Sequence, residues 1–406
     1  MIHMQRSLDD VQFLIGSPKE IEVLPNTRAR FPFDDDIVEF LNNVSRNIMK
    51  DSRATQYSDV MSFAFWIRKG SIRWLKKNYV KDCGVLRMGR GVTFHIAPSN
   101  VPVNFAYSLA SSLICGNANI VRASSKDFEQ VDIIADAFNK ELVYYENLRP
   151  FVILVRYEKN KELNDLFSEI CDTRVIWGGD DTISEIRKSP IPPRSTEITF
   201  ADRYSIAVID SDSYMRIKDK DRIAQDFYND TFFSDQNACT SPRIVIWLGN
   251  RINEAKEVFW GKEQKIAVKK YMLQPIQAVN KLTSAYMSAA EFEDCKVING
   301  SDNIIVRVQV AKLKENLVDY ICNSGFFFEY DCNNIMEIED ICNDKRCQTI
   351  SYIGDEEIVN PLLKTGVKGI DRIVPVGRTM EFGMVWDGYD LFERFTRRIC
   401  MEGRRK

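Results

Sequence analysis

The sequence predicts an α/β protein with a doubly wound parallel sheet and a second α/β domain after it. Three observations carry this. Short continuous apolar runs alternate with helical stretches between residues 91 and 209. Such runs read as strands buried on both faces, because a half-exposed strand would alternate polar and apolar residues. The alternation then restarts near Asp221, and 406 residues are too many for one small core.

Residues 1–80 read as mostly helical. Ile37, Val38, Phe40, Leu41, Val44 and Ile48 recur at helical spacing over 34–49, and 58–79 is a further amphipathic stretch. At 91–97 the pattern becomes β-branched and apolar, a buried strand stopped by Pro98. A helix over 103–114 ends at Cys115, Gly116 and Asn117, a good stop because glycine tolerates the left-handed last turn. Strands follow at 119–123, 151–156, 174–177 and 203–209, with helices at 126–142 and 163–171 and from Thr182 to Lys188. In the second alternation, helices are predicted at 223–233 and over most of 253–287, and strands at 243–248, 303–310 and 326–330. There is no internal repeat and no low-complexity tract.

Composition excludes several classes. A formal net charge of −3 gives no electrostatic reason to expect nucleic acid or an anionic membrane as partner. No apolar run approaches the roughly 18 residues of a membrane span. The start, Met1 to Ser7, lacks an apolar signal core, so a cytoplasmic location is expected. The tail, Glu402 to Lys406, reads as a solvated end. Only His3 and His95 are available, so a multi-histidine metal site cannot be built and no metal is expected. Ten cysteines are spread along the chain without the close pairing of a zinc knuckle. Most read as small buried apolar groups.

Four segments could carry chemistry. In the first, Pro98, Ser99 and Asn100 lie where a strand ends and a helix begins. Free backbone N–H groups and the Asn100 amide could hold an anionic oxygen, or the segment is an ordinary N-cap and turn. In the second, Arg122, Ser124, Ser125 and Lys126 follow a strand, with no acid before Asp127. A dinucleotide-binding sheet meets the adenosine ribose at such a point, and the missing acid favours a 2′-phosphate. The same residues also suit a solvated helix start. In the third, Cys239 sits in a polar loop between a helix and a strand. It is a candidate nucleophile or a structural thiol. The fourth, residues 380–391, suggests only a core segment with a turn at Asp387 and Gly388.

Together, in order and spacing, these segments resemble the aldehyde dehydrogenase superfamily. The closer resemblance is to the acyl-CoA reductases typified by the reductase component of the bacterial bioluminescence fatty-acid reductase complex, the LuxC family. The matching signatures are HIAPSNVP (95–102), GNANIVRASS (116–125), DQNACTSP (235–242) and WDGYDL (386–391), spanning roughly residues 90–400. The resemblance implies an aldehyde dehydrogenase-like α/β fold, with a Rossmann-type cofactor domain over 1–210 that has a helical N-terminal part. A catalytic cysteine domain would follow over 211–374, with a segment over 375–406 returning to the cofactor domain. It implies Cys239 as catalytic cysteine, and Asn100 with the Cys239 N–H as oxyanion hole. Pro98, Ser99, Arg122, Ser124, Ser125, Gly178 and Gly179 would contact the cofactor. Ser125 stands where NAD-preferring relatives carry glutamate, so NADPH is expected.

The implied reaction converts an acyl-CoA or similar acyl thioester to the aldehyde through an acyl-enzyme on Cys239. An acyl-activating partner enzyme and a homo-oligomer are compatible with it. One departure stands out. Hydrolytic aldehyde dehydrogenases carry a glutamate followed by a glycine pair as water-activating base, whereas Glu197 here precedes Ile198, Thr199 and Phe200. That weakens oxidation to a free acid more than it weakens reduction. The alternatives are acyl-phosphate reduction, CoA-acylating aldehyde oxidation, and a non-catalytic acyl-carrying scaffold.

Overall fold

A computed structural model describes residues 8, 10–80, 85–300 and 302–400. His3, Cys83 and both chain ends read above, Met1 to Ser7 and Glu402 to Lys406, lie outside the described residues. The chain forms two compact units, 1–201 with 384–406, and 202–383.

The first unit holds β1 (Gln12–Ile15), β2 (Val85–Gly89), β3 (Val92–Ile96), β4 (Ala118–Arg122), β5 (Val152–Arg156), β6 (Thr173–Trp177) and β7 (Thr196–Phe200). Six of these make one sheet in the order β1-β5-β4-β3-β6-β7, parallel except for β1 against β5. Every residue of β3 and β6 is buried, the polar Thr93, His95, Thr173 and Arg174 included, as befits interior strands covered on both faces. The predicted helix after β3 runs Asn104–Ile114, and Gly116 closes it with φ +90°. An added Cβ there would lie 2.2 Å from the Arg30 carbonyl oxygen, so only glycine fits. The helical region before residue 80 also contains β1, an edge strand too short for periodicity to reveal.

The second unit begins with β8 (Tyr204–Asp210), followed by β9 (Pro242–Leu248), β10 (Lys296–Asn299), β11 (Val306–Val310), β12 (Phe326–Asp331), β13 (Cys347–Ile353) and β14 (Arg372–Pro375). Their order is β10-β11-β12-β9-β8-β13-β14. The period of two splits the core. Ile206, Val208, Ile244 and Ile246 face one layer, and Ala207, Ile209, Val245 and Trp247 face the other. The helical stretch expected over 253–287 is two helices, Ile252–Lys270 and Pro275–Glu291. Pro275 sits in the first turn, where its missing N–H costs nothing, and Gln274 and Gln277 form a capping box.

Strand 203–209 was expected in the first sheet, with the boundary near 210. It is instead β8, flanked by β9 and β13 in the second sheet, and β7 takes the edge of the first. β7 is half-buried and lacks the continuous apolar run that signals an interior strand. The boundary therefore falls between residues 201 and 202. The returning segment starts at 384 rather than 375, because β14 pairs with β13. It forms a hairpin of β15 (Val385–Trp386) and β16 (Tyr389–Asp390), then β17 (Thr396–Cys400) against β2. Asp387 and Gly388 both have positive φ, 53° and 75°, the two-residue turn that Asp-Gly favours. Among the described residues no helix is long and apolar enough to cross a membrane.

Candidate active site

In the first unit the strand order reverses between β3 and β6. Doubly wound sheets receive ligands at the carboxyl ends of strands flanking such a reversal. Pro98, Ser99 and Asn100 follow β3, Gly178 and Gly179 follow β6, and Arg122, Ser124 and Ser125 end or follow the adjoining β4. Three segments far apart in sequence thus share one sheet end. Ser99 and Asn100 are exposed. They do not cap a helix, contrary to one sequence reading. The helix starts at Asn104 with Val103 at its cap. Pro102 disfavours helical geometry at Val101 and delays the first turn. Gly179 precedes helix Asp180–Ile186, and a Cβ placed on it meets nothing within 4 Å.

The basic cluster is ordered. The Arg122 guanidinium lies 4.7 Å over the Tyr157 ring, and Tyr157 donates its hydroxyl to Asn164 Oδ1 at 2.9 Å. Ser124 Oγ accepts from the Lys126 N–H at 3.1 Å, leaving Ser125 and Lys126 exposed beside it. Asp127, the first acid, pairs with Arg156 Nη1 at 2.5 Å, and Arg156 Nε donates to the Ser124 carbonyl. Sequence reading missed Arg156. Its signal was its place as last residue of β5, next to β4. Cations and hydroxyls at this edge, with the nearest acid neutralised, suit an anionic group.

His95 and Glu197 are structural. His95 is fully buried, with Nδ1 2.8 Å from Ser108 Oγ and Nε2 3.1 Å from Asn119 Oδ1. Asn119 spends its amide hydrogens on the Asn117 and Phe151 carbonyls, so its oxygen accepts from Nε2–H. Nδ1 then accepts from Ser108, whose oxygen accepts from Trp177 Nε1. Burial pushes the His95 pKa down to about 4. The neutral ring contributes stability that is complete above the unfolded pKa of about 6.5 and is lost as pH falls toward 4. Denaturant titrations at pH 7 and pH 4.5 are expected to differ by up to about 3 kcal/mol from this group, and His95→Gln should flatten that window. An unchanged slope would refute it. Glu197 on β7 accepts from Arg174 Nε at 2.9 Å and Arg187 Nε at 2.7 Å, tying the sheet edge.

In the second unit Cys239 lies in the loop between Phe232–Ser234 and β9. Asp235 and Gln236 both adopt left-handed φ, 53° and 51°, which turns the chain sharply before the cysteine. The buried Gln236 amide holds the turn, donating to the Pro242 and Phe326 carbonyls and accepting from the Gly325 N–H at 2.7 Å. Ser205 Oγ donates to the Cys239 carbonyl at 2.7 Å. Arg243 donates to the Gln236 carbonyl at 2.8 Å, and Arg372 holds the carbonyls of Thr379 and Glu381. Both guanidiniums interact electrostatically with Cys239. Cations beside a partly exposed sulfur are the setting of a reactive thiolate. By contrast, burial pushes the Cys115 thiol far up, Cys171 to about 12 and Cys332 to about 11. Sequence reading did not find Arg372. It lies 133 positions from Cys239, so only the tertiary fold reveals it. The fourth segment divides between the units. Thr240 Oγ1 reaches Met380 Sδ at 3.6 Å in the second, while Tyr389 packs edge-on to Phe200 in the first.

The two sheets and their helices define an aldehyde dehydrogenase fold. The solved structure of a lactaldehyde dehydrogenase matches 94% of this chain and 88% of its own, with a TM-score of 0.64 at 12% identity. The sequence model of the acyl-CoA reductase (LuxC) family matches residues 73–398, and the chain belongs to that family. The long-chain acyl-protein thioester reductase of Aliivibrio fischeri is 24% identical over 309 residues, 75% of this chain and 61% of the relative. That of Vibrio harveyi is 24% identical over 344 residues, 81% of this chain and 67% of the relative. The chain thus spans about three fifths to two thirds of their length.

Proposed function

We propose that this protein reduces an acyl thioester to the aldehyde with NADPH, through an acyl-enzyme on Cys239. The observation that carries the reading is a partly exposed cysteine in a loop held by Gln236, Ser205 and Arg243, in a chain of this family. The Cys239 thiolate attacks the thioester carbonyl. The Asn100 amide and the Cys239 N–H hold the resulting oxyanion. The donor thiol leaves, and the acyl group stays on sulfur. When bound at the end of the first sheet, NADPH would supply the hydride that discharges this thioester. The thiohemiacetal then collapses, releasing the aldehyde and restoring the thiolate.

Ser99, Ser124, Ser125, Arg122 and Lys126 are suited to hold the cofactor, with Pro98 shaping the first loop and Gly178 and Gly179 leaving room near the pyrophosphate. The exposed Ser125 and the neutralised Asp127 support NADPH over NADH. Ser125→Glu is expected to weaken NADPH binding by about 10- to 100-fold. At roughly 5 Å and an effective dielectric near 20, a carboxylate repels a phosphate charge by a few kcal/mol. Titrating both cofactors against the variant checks this. An unchanged ratio of affinities would overturn the assignment of Ser125.

The acyl donor is an acyl-CoA, as the family's description suggests, or an acylated protein, as the names of the relatives suggest. The test is to give the purified chain NADPH with acyl-CoAs of graded length, and separately with a protein thioester. Aldehyde formed in step with NADPH loss is the expected result. If neither donor yields aldehyde or an acyl adduct on Cys239, the proposal fails.

A further inference from the structure

The loop that carries Cys239 is stitched to a segment that directly follows a second cysteine, Cys322. Asn323 Nδ2 donates to Asn237 Oδ1 at 2.8 Å, and the Gly325 N–H donates to Gln236 Oε1 at 2.7 Å. The Gln236 amide also donates to the Phe326 carbonyl at 3.2 Å. Residues 323–326 therefore run directly alongside residues 236–237, and Cys322 immediately precedes them. The turn is fixed. Ser324 and Gly325 both have positive φ, and a Cβ on Gly325 would lie 2.3 Å from the Ile304 carbonyl oxygen. Cys322 is only half-buried, whereas five other cysteines are buried in the two units.

Its surroundings hold charges of both signs. Lys281 is fully buried and donates Nζ to the Asn303 and Ile304 carbonyls at 2.5 and 2.9 Å. That ammonium interacts electrostatically with Cys322, Asp235 and Asp302. The Arg243 guanidinium interacts with Asp202 and with both sulfurs, Cys239 and Cys322. Two thiols thus share one cation, on adjoining segments of a single unit.

We propose that Cys322 is a second reactive thiol and the oxidation partner of Cys239. The oxidant is a peroxide. The Cys239 thiolate attacks one peroxide oxygen, the O–O bond breaks, and Cys239 becomes a sulfenic acid as hydroxide departs. The Cys322 thiolate attacks that sulfur and the S–S bond forms. The second oxygen leaves as hydroxide and is protonated to water. Two thiols and one peroxide give one disulfide and two waters. The bond stops Cys239 short of the irreversible sulfinic acid, and a dithiol reductant restores it. The disulfide itself does not depend on the proposed reductase activity. Only the protection of turnover rests on that reading.

The experiment treats the full chain with hydrogen peroxide, blocks remaining thiols and maps peptides without reduction. The expected product is a linked Cys239–Cys322 peptide, absent in Cys322→Ser and Cys322→Ala. Those variants are expected to keep basal turnover and to accumulate sulfinic acid on Cys239. They should lose most of the activity that reductant recovers in the parent. Recovery of Cys239 unlinked in the parent, or linked to another cysteine, would overturn the proposal. The peptide map reads the bond even where turnover is absent, so failure of the reductase reading stays distinguishable.

Discussion

Replacing Cys239 with alanine is expected to abolish acyl-dependent NADPH oxidation while leaving NADPH binding and the fold in place. Loss of the nucleophile removes the covalent path altogether, and such losses reach about 10⁶-fold in the chemical step. The fold should survive because the loop is shaped by other groups. Gln236 fixes the turn with three hydrogen bonds, and Ser205 holds the backbone carbonyl of residue 239, which alanine keeps. Cys239→Ser tests the reason. A hydroxyl in the same place is not ionised near neutral pH, so two guanidiniums cannot make it a comparable nucleophile. Rates with a saturating acyl donor, together with mass spectrometry of the acyl adduct, give the answer. Turnover in Cys239→Ala within tenfold of the parent would show that another group carries the acyl chain.

Asn100→Ala is expected to lower the rate of acyl transfer by about 100- to 1000-fold, equivalent to about 3–4 kcal/mol of transition-state stabilisation. The loss should fall on kcat, with KM nearly unchanged, because the oxyanion exists only on the way to the tetrahedral adduct. Stability should hardly move. Asn100 is exposed in the loop after β3 and is not the helix cap. Asn100→Asp should be at least as poor, since a carboxylate repels the charge it would need to hold. Pre-steady-state acylation rates separate the two effects. A change confined to KM would assign Asn100 to substrate binding instead.

The residues proposed for chemistry each carried a local signal that also allowed an ordinary structural reading, and only their order and spacing together, as a family resemblance, singled them out. A strand that ends at a proline, a basic cluster without an acid, and a cysteine in a polar loop can each be read within about ten residues. Arg156 and Arg372 were not legible as neighbours of the site. Arg156 matters through its pairing with Asp127, 29 positions away, and Arg372 through the loop that holds Thr379 and Glu381. The partnership of the Cys239 loop with Cys322 is likewise invisible, because Gln236 and Asn237 bond to residues more than 80 positions downstream.

The sequence by itself determined that apolar runs and helices alternate, where most of the buried strands lie, and that one glycine must close the helix before β4. Those features follow from burial on both faces, helical periodicity and left-handed backbone, which are properties of short segments. The tertiary structure decided which sheet each strand joins. β8 is buried along nearly its whole length like the interior strands of the first sheet, yet it lies between β9 and β13 in the second. It also decided that β14 stays with the second sheet while β17 returns to pair with β2. Strand pairing is settled by hydrogen bonds and packing between segments as far as 315 residues apart, and a one-dimensional pattern of burial carries no record of the partner.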